Sequence, residues 1–331
     1  MVKTVKQDSR RFGWQTSVFS LGILLLISFV LSATVQAAFL VAIEDDAAAD
    51  PAKIITSDTG DVWTNRASNA DQKLWRVTRG AGKYVAVGDL GTIVTSADGI
   101  TWTPQNSSDP DSTLFGIAYG NGIFVVVGFD YVLGTGTVLT SPDGVTWNSQ
   151  ISGTTASLFG VGFTNGLFVA VGTNGTILTS LDGVTWTPRT SNTWEFLSAV
   201  TFDNGNHVIV GDQGTILTSP DGLIWTPRTS GTNSFLWGIT SQMGQMVAVG
   251  AGGTILTSSD GVTWVGQNSG TPNDFFGVTF QKDSFVAVGD LGIIKTSPTG
   301  TTWTTQSSGT RDALDGIASG GFRIYFPLMA D

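Results

Sequence analysis

The 331-residue chain contains no cysteine and a single histidine, His207. The first absence excludes a disulfide scaffold, a thiolate metal site and a cysteine nucleophile. The second excludes a histidine-rich metal cage and any repeated histidine acid/base device. Charge is also scarce: 13% of residues are charged against 41% hydrophobic, which rules out charge-driven disorder and permits a large buried core. Glutamate is almost missing, with Glu195 alone beyond residue 52. Glycine, by contrast, occurs 43 times.

Lys3, Lys6, Arg10 and Arg11 precede an apolar run from Val18 to Leu31, which gives way to small residues ending at Ala37-Ala38. That order predicts a signal peptide over residues 1–38 and an exported protein, secreted or periplasmic; the alternative is an uncleaved N-terminal membrane anchor. Removing that segment takes four basic residues and one acid from totals of 16 and 26, leaving 12 and 25 and a net charge of −13. Such a surface repels phosphate backbones and anionic lipid, so no nucleic-acid partner is expected, and no membrane contact beyond the N-terminal segment. Residues 39–52, with Glu44, Asp45, Asp46 and Asp50, read as an acidic linker, and the folded body is expected over 53–331.

One phrase recurs seven times, ending at Trp63, Trp102, Trp147, Trp186, Trp225, Trp264 and Trp303, with spacings of 39 residues except for one of 45. A Ser always stands six residues before that tryptophan and a Gly three before. Within each unit, short runs rich in β-branched and aromatic residues are separated by turn sequences such as Thr-Asn-Gly and Leu-Asp-Gly, which predicts four antiparallel strands, a to d from the channel outward. A period near forty with this punctuation predicts an all-β, seven-bladed β-propeller. The ends supply one further blade between them: Ile54–Ser57 and Val62–Thr64 match strands c and d, while 314–318 and 322–326 match a and b. Closure of the ring by its own termini is therefore expected.

In the c-to-d turn, Ser-x-Asp-Gly-x-Thr-Trp places Asp98, Asp143, Asp182, Asp221 and Asp260 before a glycine suited to positive φ, with Trp102, Trp147, Trp186, Trp225 and Trp264 covering the turn. Five aspartates spread around a ring cannot converge on one substrate, so a structural role as turn staples is expected of them. Over residues 53–328 the phrase resembles the Asp-box, or BNR, repeat of sialidases, some glycoside hydrolases, sortilin-type receptors and the photosystem II stability/assembly factor family. Gly-Thr-Ile-Leu-Thr-Ser after Val-Ala-Val-Gly is most similar to the assembly-factor propellers. That resemblance implies a scaffold with a protein-binding role and, in the assembly factors, a basic docking patch that this acidic chain lacks.

The resemblance to sialidases implies an arginine triad, a Tyr/Glu nucleophile pair and an acidic proton donor. Arg66, Arg189 and Arg228 lie on the outermost strands, and Glu195 is the one glutamate of the body, so that set does not assemble. A non-catalytic binding or assembly module is the expected function, with a carbohydrate-active enzyme of sialidase-like or other glycosidase type as the alternative, in which two aspartates would act. Neither cofactor nor metal site is expected.

A partner, protein or glycan, is expected on the face formed by the b-to-c and d-to-a loops, opposite the Ser-x-Asp-Gly turns, with the protein acting as a monomer. There the repeat breaks its own rule: five extra residues include Asp130 and Tyr131, and one connection carries Trp194 and Glu195. Asp89, Asp130, Asp212 and Asp290 follow the glycine ending strand b, where they could attract a cation or serve as turn residues. Trp75, Phe115, Phe159, Trp237 and Phe276 open strand a, interrupted by Ser198 and Asp315, either as a stacking platform or as core between blades. Arg76 is counted with the candidate binding residues of the loop face and is also expected to form an ion-pair cluster with Arg311 and Asp312 at the seam, and His207 is expected to be an exposed turn residue.

Overall fold

A computed structural model describes residues 40–45, 52–242 and 244–320. The expected signal peptide, residues 1–38, and residues 321–331 lie outside the described residues. The chain forms seven four-stranded antiparallel sheets, one per repeat, with no α-helix among the described residues. The innermost strands are Leu74–Gly80, Ser112–Gly120, Leu158–Thr164, Leu197–Asp203, Leu236–Gln242, Phe275–Gln281 and Ala313–Ser319. We number the blades 1 to 7 in that order.

Strand b explains why the repeats read as unbroken apolar runs. In Lys83–Gly88 every residue from Tyr84 onward is buried, and Leu167–Gly172 and Ser284–Gly289 repeat the pattern. Both faces of a blade press on neighbours, so each cluster of buried side chains bridges two blades: Val85, Val87 and Ile93 of blade 1 pack with Leu114, Phe124 and Val126 of blade 2. The glycine ending strand b follows from the same crowding. A Cβ on Gly88 would collide with the Lys73 carbonyl, and one on Gly172 with the Ser157 carbonyl, carbonyls that accept the Asp89 and Thr173 amides at 2.9 and 3.0 Å.

The seventh blade differs from expectation. Its order is Ala313–Ser319, Leu40–Asp45, Lys53–Ser57, Thr64–Ala67, so the C-terminus supplies strand a alone and the N-terminus supplies b, c and d. Residues 322–326, expected as strand b, lie outside the described residues, and their place is filled by a segment read as linker. Leu40, Val41, Ala42 and Ile43 are fully buried, which is why this short apolar stretch forms a strand. Glu44, counted toward linker acidity, is buried as well and accepts a hydrogen bond from the Thr310 hydroxyl. Burial pushes its carboxyl above the usual range, and the nearby Asp312 adds to the shift.

The recurrent c-to-d turns are hydrogen-bonded alike. Asp182 Oδ1 accepts from the Val184 and Thr185 amides at 2.9 and 2.8 Å and from the Ser180 hydroxyl at 2.9 Å, while Ser180 Oγ accepts from the Gly183 amide and Trp186 Nε1 donates to the Gly183 carbonyl at 3.0 Å. The amide bonds hold the carboxyls of Asp182 and Asp260 down to about 2 and lower those of Asp98, Asp143 and Asp221. Where Thr59 and Thr299 replace the aspartate, the serine-to-glycine and tryptophan-to-carbonyl bonds persist. With Ile224 in place of Thr, Asp221 keeps its bond from the Leu223 amide, but Trp225 Nε1 is buried without a hydrogen-bond partner among the described residues.

His207 is buried rather than exposed. It occupies the strand-b position held elsewhere by Tyr84, Phe124, Phe168, Met246 and Phe285, each paired with the serine of its turn. Its ring meets Phe202 at 4.8 Å, and Nδ1 lies 2.8 Å from Thr164 Oγ1. Burial lowers its pKa.

Candidate functional site

Each innermost strand breaks register once, at the same repeat position. The breaks fall between Leu74 and Arg76, Leu114 and Gly116, Leu158 and Gly160, Leu197 and Ala199, Leu236 and Gly238, and Phe275 and Gly277. In blade 7 Asp315 is the residue left unpaired. A bulge of this kind re-aims one side chain out of the alternation of the strand. The bulged residues are therefore Trp75, Phe115, Phe159, Ser198, Trp237, Phe276 and Asp315, the ring singled out in the sequence.

They surround a cup of about 300 Å³ at the channel mouth, with Phe196 completing the wall beside Ser198. The aromatics touch in succession. Trp75 meets Phe115 edge-on at 5.7 Å, Phe115 stacks on Phe159 at 4.2 Å, Phe159 meets Phe196 at 4.3 Å, and Trp237 meets Phe276 at 6.1 Å. Phe235 stacks on Trp237 at 3.6 Å and bridges to Phe196 at 5.3 Å. Of the two readings offered by the sequence, these residues both pack against their neighbours and line an open cavity.

The remaining arc is charged. Lys73 pairs with Asp315 at 3.0 Å and lies 3.8 Å from the centre of the Trp75 ring, whose Nε1 donates to Asp89 Oδ1 at 2.7 Å. Arg76 follows the blade 1 bulge, in the column occupied by Gly116, Gly160, Ala199, Gly238, Gly277 and Gly316 in the other blades. Six small residues leave the channel axis to one guanidinium. Its Nη1 donates to the Trp75 carbonyl at 3.0 Å and to the Asp315 carbonyl, joining the first and last blades. Arg76 lines both the cup and a narrower cavity of about 170 Å³ below it. Burial lowers its pKa, and the Asp315 charge opposes that shift.

The expected ion-pair cluster of Arg76, Arg311 and Asp312 does not form. Arg76 turns inward, Asp312 lies beside Glu44, and Arg311 lines a separate surface hollow with Asn273 and Leu291. The aspartates after strand b do not converge either. Asp130 staples the inserted turn through the Val132 and Leu133 amides, Asp212 and Asp290 accept from the next amide in the chain, and Asp290 also reaches the cup rim. Among the described residues no group of three or more His, Asp or Glu is placed to hold a metal ion.

Around the cup the unequal loops carry exposed apolar side chains: Tyr131 is 65% exposed, Leu133 73% and Trp194 85%. The Glu195 carbonyl accepts the Gly175 amide at 2.9 Å, tying the Trp194 loop to the neighbouring turn. Leu90 and Leu291 stand at the tips of tight b-to-c turns with φ of 50° and 53°, a conformation costly for leucine, and both are exposed. Sequence reasoning missed Lys73, Phe196 and Phe235. All three sit two residues before a bulged residue, a column that mixes Lys, Thr, Ser, Phe, Asp and Ala and so shows no pattern until the bulge is known.

No protein-family model and no curated protein matches the sequence. Solved structures do match, over about 70–74% of this chain. "YCF48 bound to D1 peptide" aligns with a TM-score of 0.57 at 15% identity, covering 74% of this chain and 92% of that one. YCF48 from Cyanidioschyzon merolae aligns at 0.57 and 18%, covering 73% and 87%. The computationally designed protein Ika8 aligns at 0.54 and 17%, covering 70% and 72%. At these identities the likeness is one of fold.

Proposed function

We propose that the protein is an exported, non-catalytic propeller that binds a protein partner through the loop face surrounding the cup. The observation that carries this reading is that Tyr131, Leu133 and Trp194, an exposed tyrosine, leucine and tryptophan, stand in the loops where the repeat departs from its period. Large apolar side chains presented on unequal loops of a rigid scaffold are what an interface uses as anchors. The strained, exposed Leu90 and Leu291 add apolar surface at the same end of the blades. A propeller of the same fold, YCF48, has been solved with a D1 peptide, which supports a protein as the partner class. The residues that staple the c-to-d turns belong to the scaffold in this reading.

The test is site-specific photo-crosslinking in the organism that makes the protein. A crosslinker at position 131 or 194 should capture one discrete partner, which a crosslinker at Val184 on the opposite face does not. Identical adducts from all three positions, or none from 131 and 194, would refute the assignment.

A further inference from the structure

The cup itself is a site of a different kind from the rim. Its walls are aromatic through most of the circle, and its floor holds one cation for which the other six blades leave room. Arg76 spends Nη1 on two backbone carbonyls, and its Nε and Nη2 make no hydrogen bond within the described protein. Among the described residues no carboxylate pairs with it either. Asp315 meets Arg76 through its carbonyl and gives its carboxylate to Lys73. The Nε/Nη2 edge is one of the two faces of a guanidinium that match a carboxylate with two parallel hydrogen bonds. A cavity of about 150 Å³ holds benzene, so about 300 Å³ accommodates a fused ring with a short acidic arm.

We propose that the cup binds a small aromatic carboxylate, with its ring against Phe159, Trp237 and Phe276 and its carboxylate on the free edge of Arg76. Stacking on the wall supplies contact without regard to charge, and the guanidinium supplies the preference for an acid. The proposal is independent of a protein partner on the rim, because it needs only the isolated chain and a small molecule.

The experiment is calorimetric titration of the mature protein with 1-naphthylacetate and, separately, with its neutral amide. The acid should bind about tenfold more tightly than the amide, as a charge-assisted hydrogen-bonded pair requires. Arg76→Gln should bring that ratio to about one while the amide still binds, and Arg76→Lys should leave an intermediate ratio, retaining charge without the fork. Because Arg76 also joins two blades, Phe159→Ala provides a second arm: it should weaken acid and amide alike and leave their ratio unchanged. Equal binding of acid and amide to the unaltered protein, an acid preference that survives Arg76→Gln, or no binding of either probe at about 10 mM would each overturn the proposal.

Discussion

Deleting residues 40–45 should abolish folding, although the sequence alone places the start of the propeller beyond them. Leu40, Val41, Ala42 and Ile43 are fully buried, sandwiched in the sheet between Ala313–Ser319 and Lys53–Ser57. At about 1.5–3 kcal/mol for each buried Leu, Val or Ile, Leu40, Val41 and Ile43 together contribute about 4.5–9 kcal/mol. That is comparable with the entire stability of an ordinary domain, about 5–15 kcal/mol. Its loss also strips the last inner strand of its pairing partner and leaves two exposed strand edges. A milder version of the same perturbation is Ile43→Ala, expected to cost about 2–5 kcal/mol and, at roughly 2 °C per kcal/mol for a body of this size, to lower Tm by about 4–10 °C. The assay is thermal unfolding followed by circular dichroism on chains beginning at residue 40 and at residue 52, with Ile151→Ala, at an exposed site, as a control that should change Tm by no more than about 1 °C. A chain beginning at residue 52 that unfolds cooperatively at the same temperature as the longer one would show that the closure is wrong.

Asp182→Ala should lower stability by about 1 kcal/mol, the scale of a side-chain cap on backbone amides at an exposed turn, and should leave naphthylacetate binding unchanged. The Asp182 carboxyl lies at about 2 when folded, so its contribution is present above the unfolded value near 4 and lost as pH falls toward 2; urea titrations should show that acid slope reduced in the variant. His207 acts in the same direction at higher pH, since burial lowers its folded pKa below the unfolded 6.5 and stability is lost as pH falls through the lowered value. His207→Phe, which restores the residue type of Phe124 and Phe168, should flatten stability below pH 6.5; an unchanged slope would show that His207 is not the titrating group.

How much of this was legible in the sequence depends on what each feature needed to be seen. Blade number follows from the tryptophan spacing, because a unit with apolar strands on both faces is stable only between neighbours, and seven tryptophans leave room for one shared blade. The closing strand was hidden by its surroundings: Leu40–Ile43 lacks the glycine that ends strand b elsewhere and runs into Glu44 and Asp45, so local charge outweighed four apolar residues. His207 was misplaced for a related reason. Read alone after Asn204-Gly205-Asn206 it belongs to a turn, whereas read down the column of Tyr84, Phe124, Phe168 and Met246 it belongs to the core. The aromatic ring was visible as a column, but its exposure to a cup depends on bulges that leave no mark in composition. Arg76 is the instructive case. Taken singly it is a charge near the seam, where Arg311 and Asp312 offer themselves as ion-pair partners. Set against Gly116, Gly160, Ala199, Gly238, Gly277 and Gly316, it is the one long side chain in a ring of small ones that line the axis. In a scaffold whose units repeat because packing demands it, the columns that stay constant report the fold, and a single departure inside an otherwise small column marks a place where packing alone does not account for the residue.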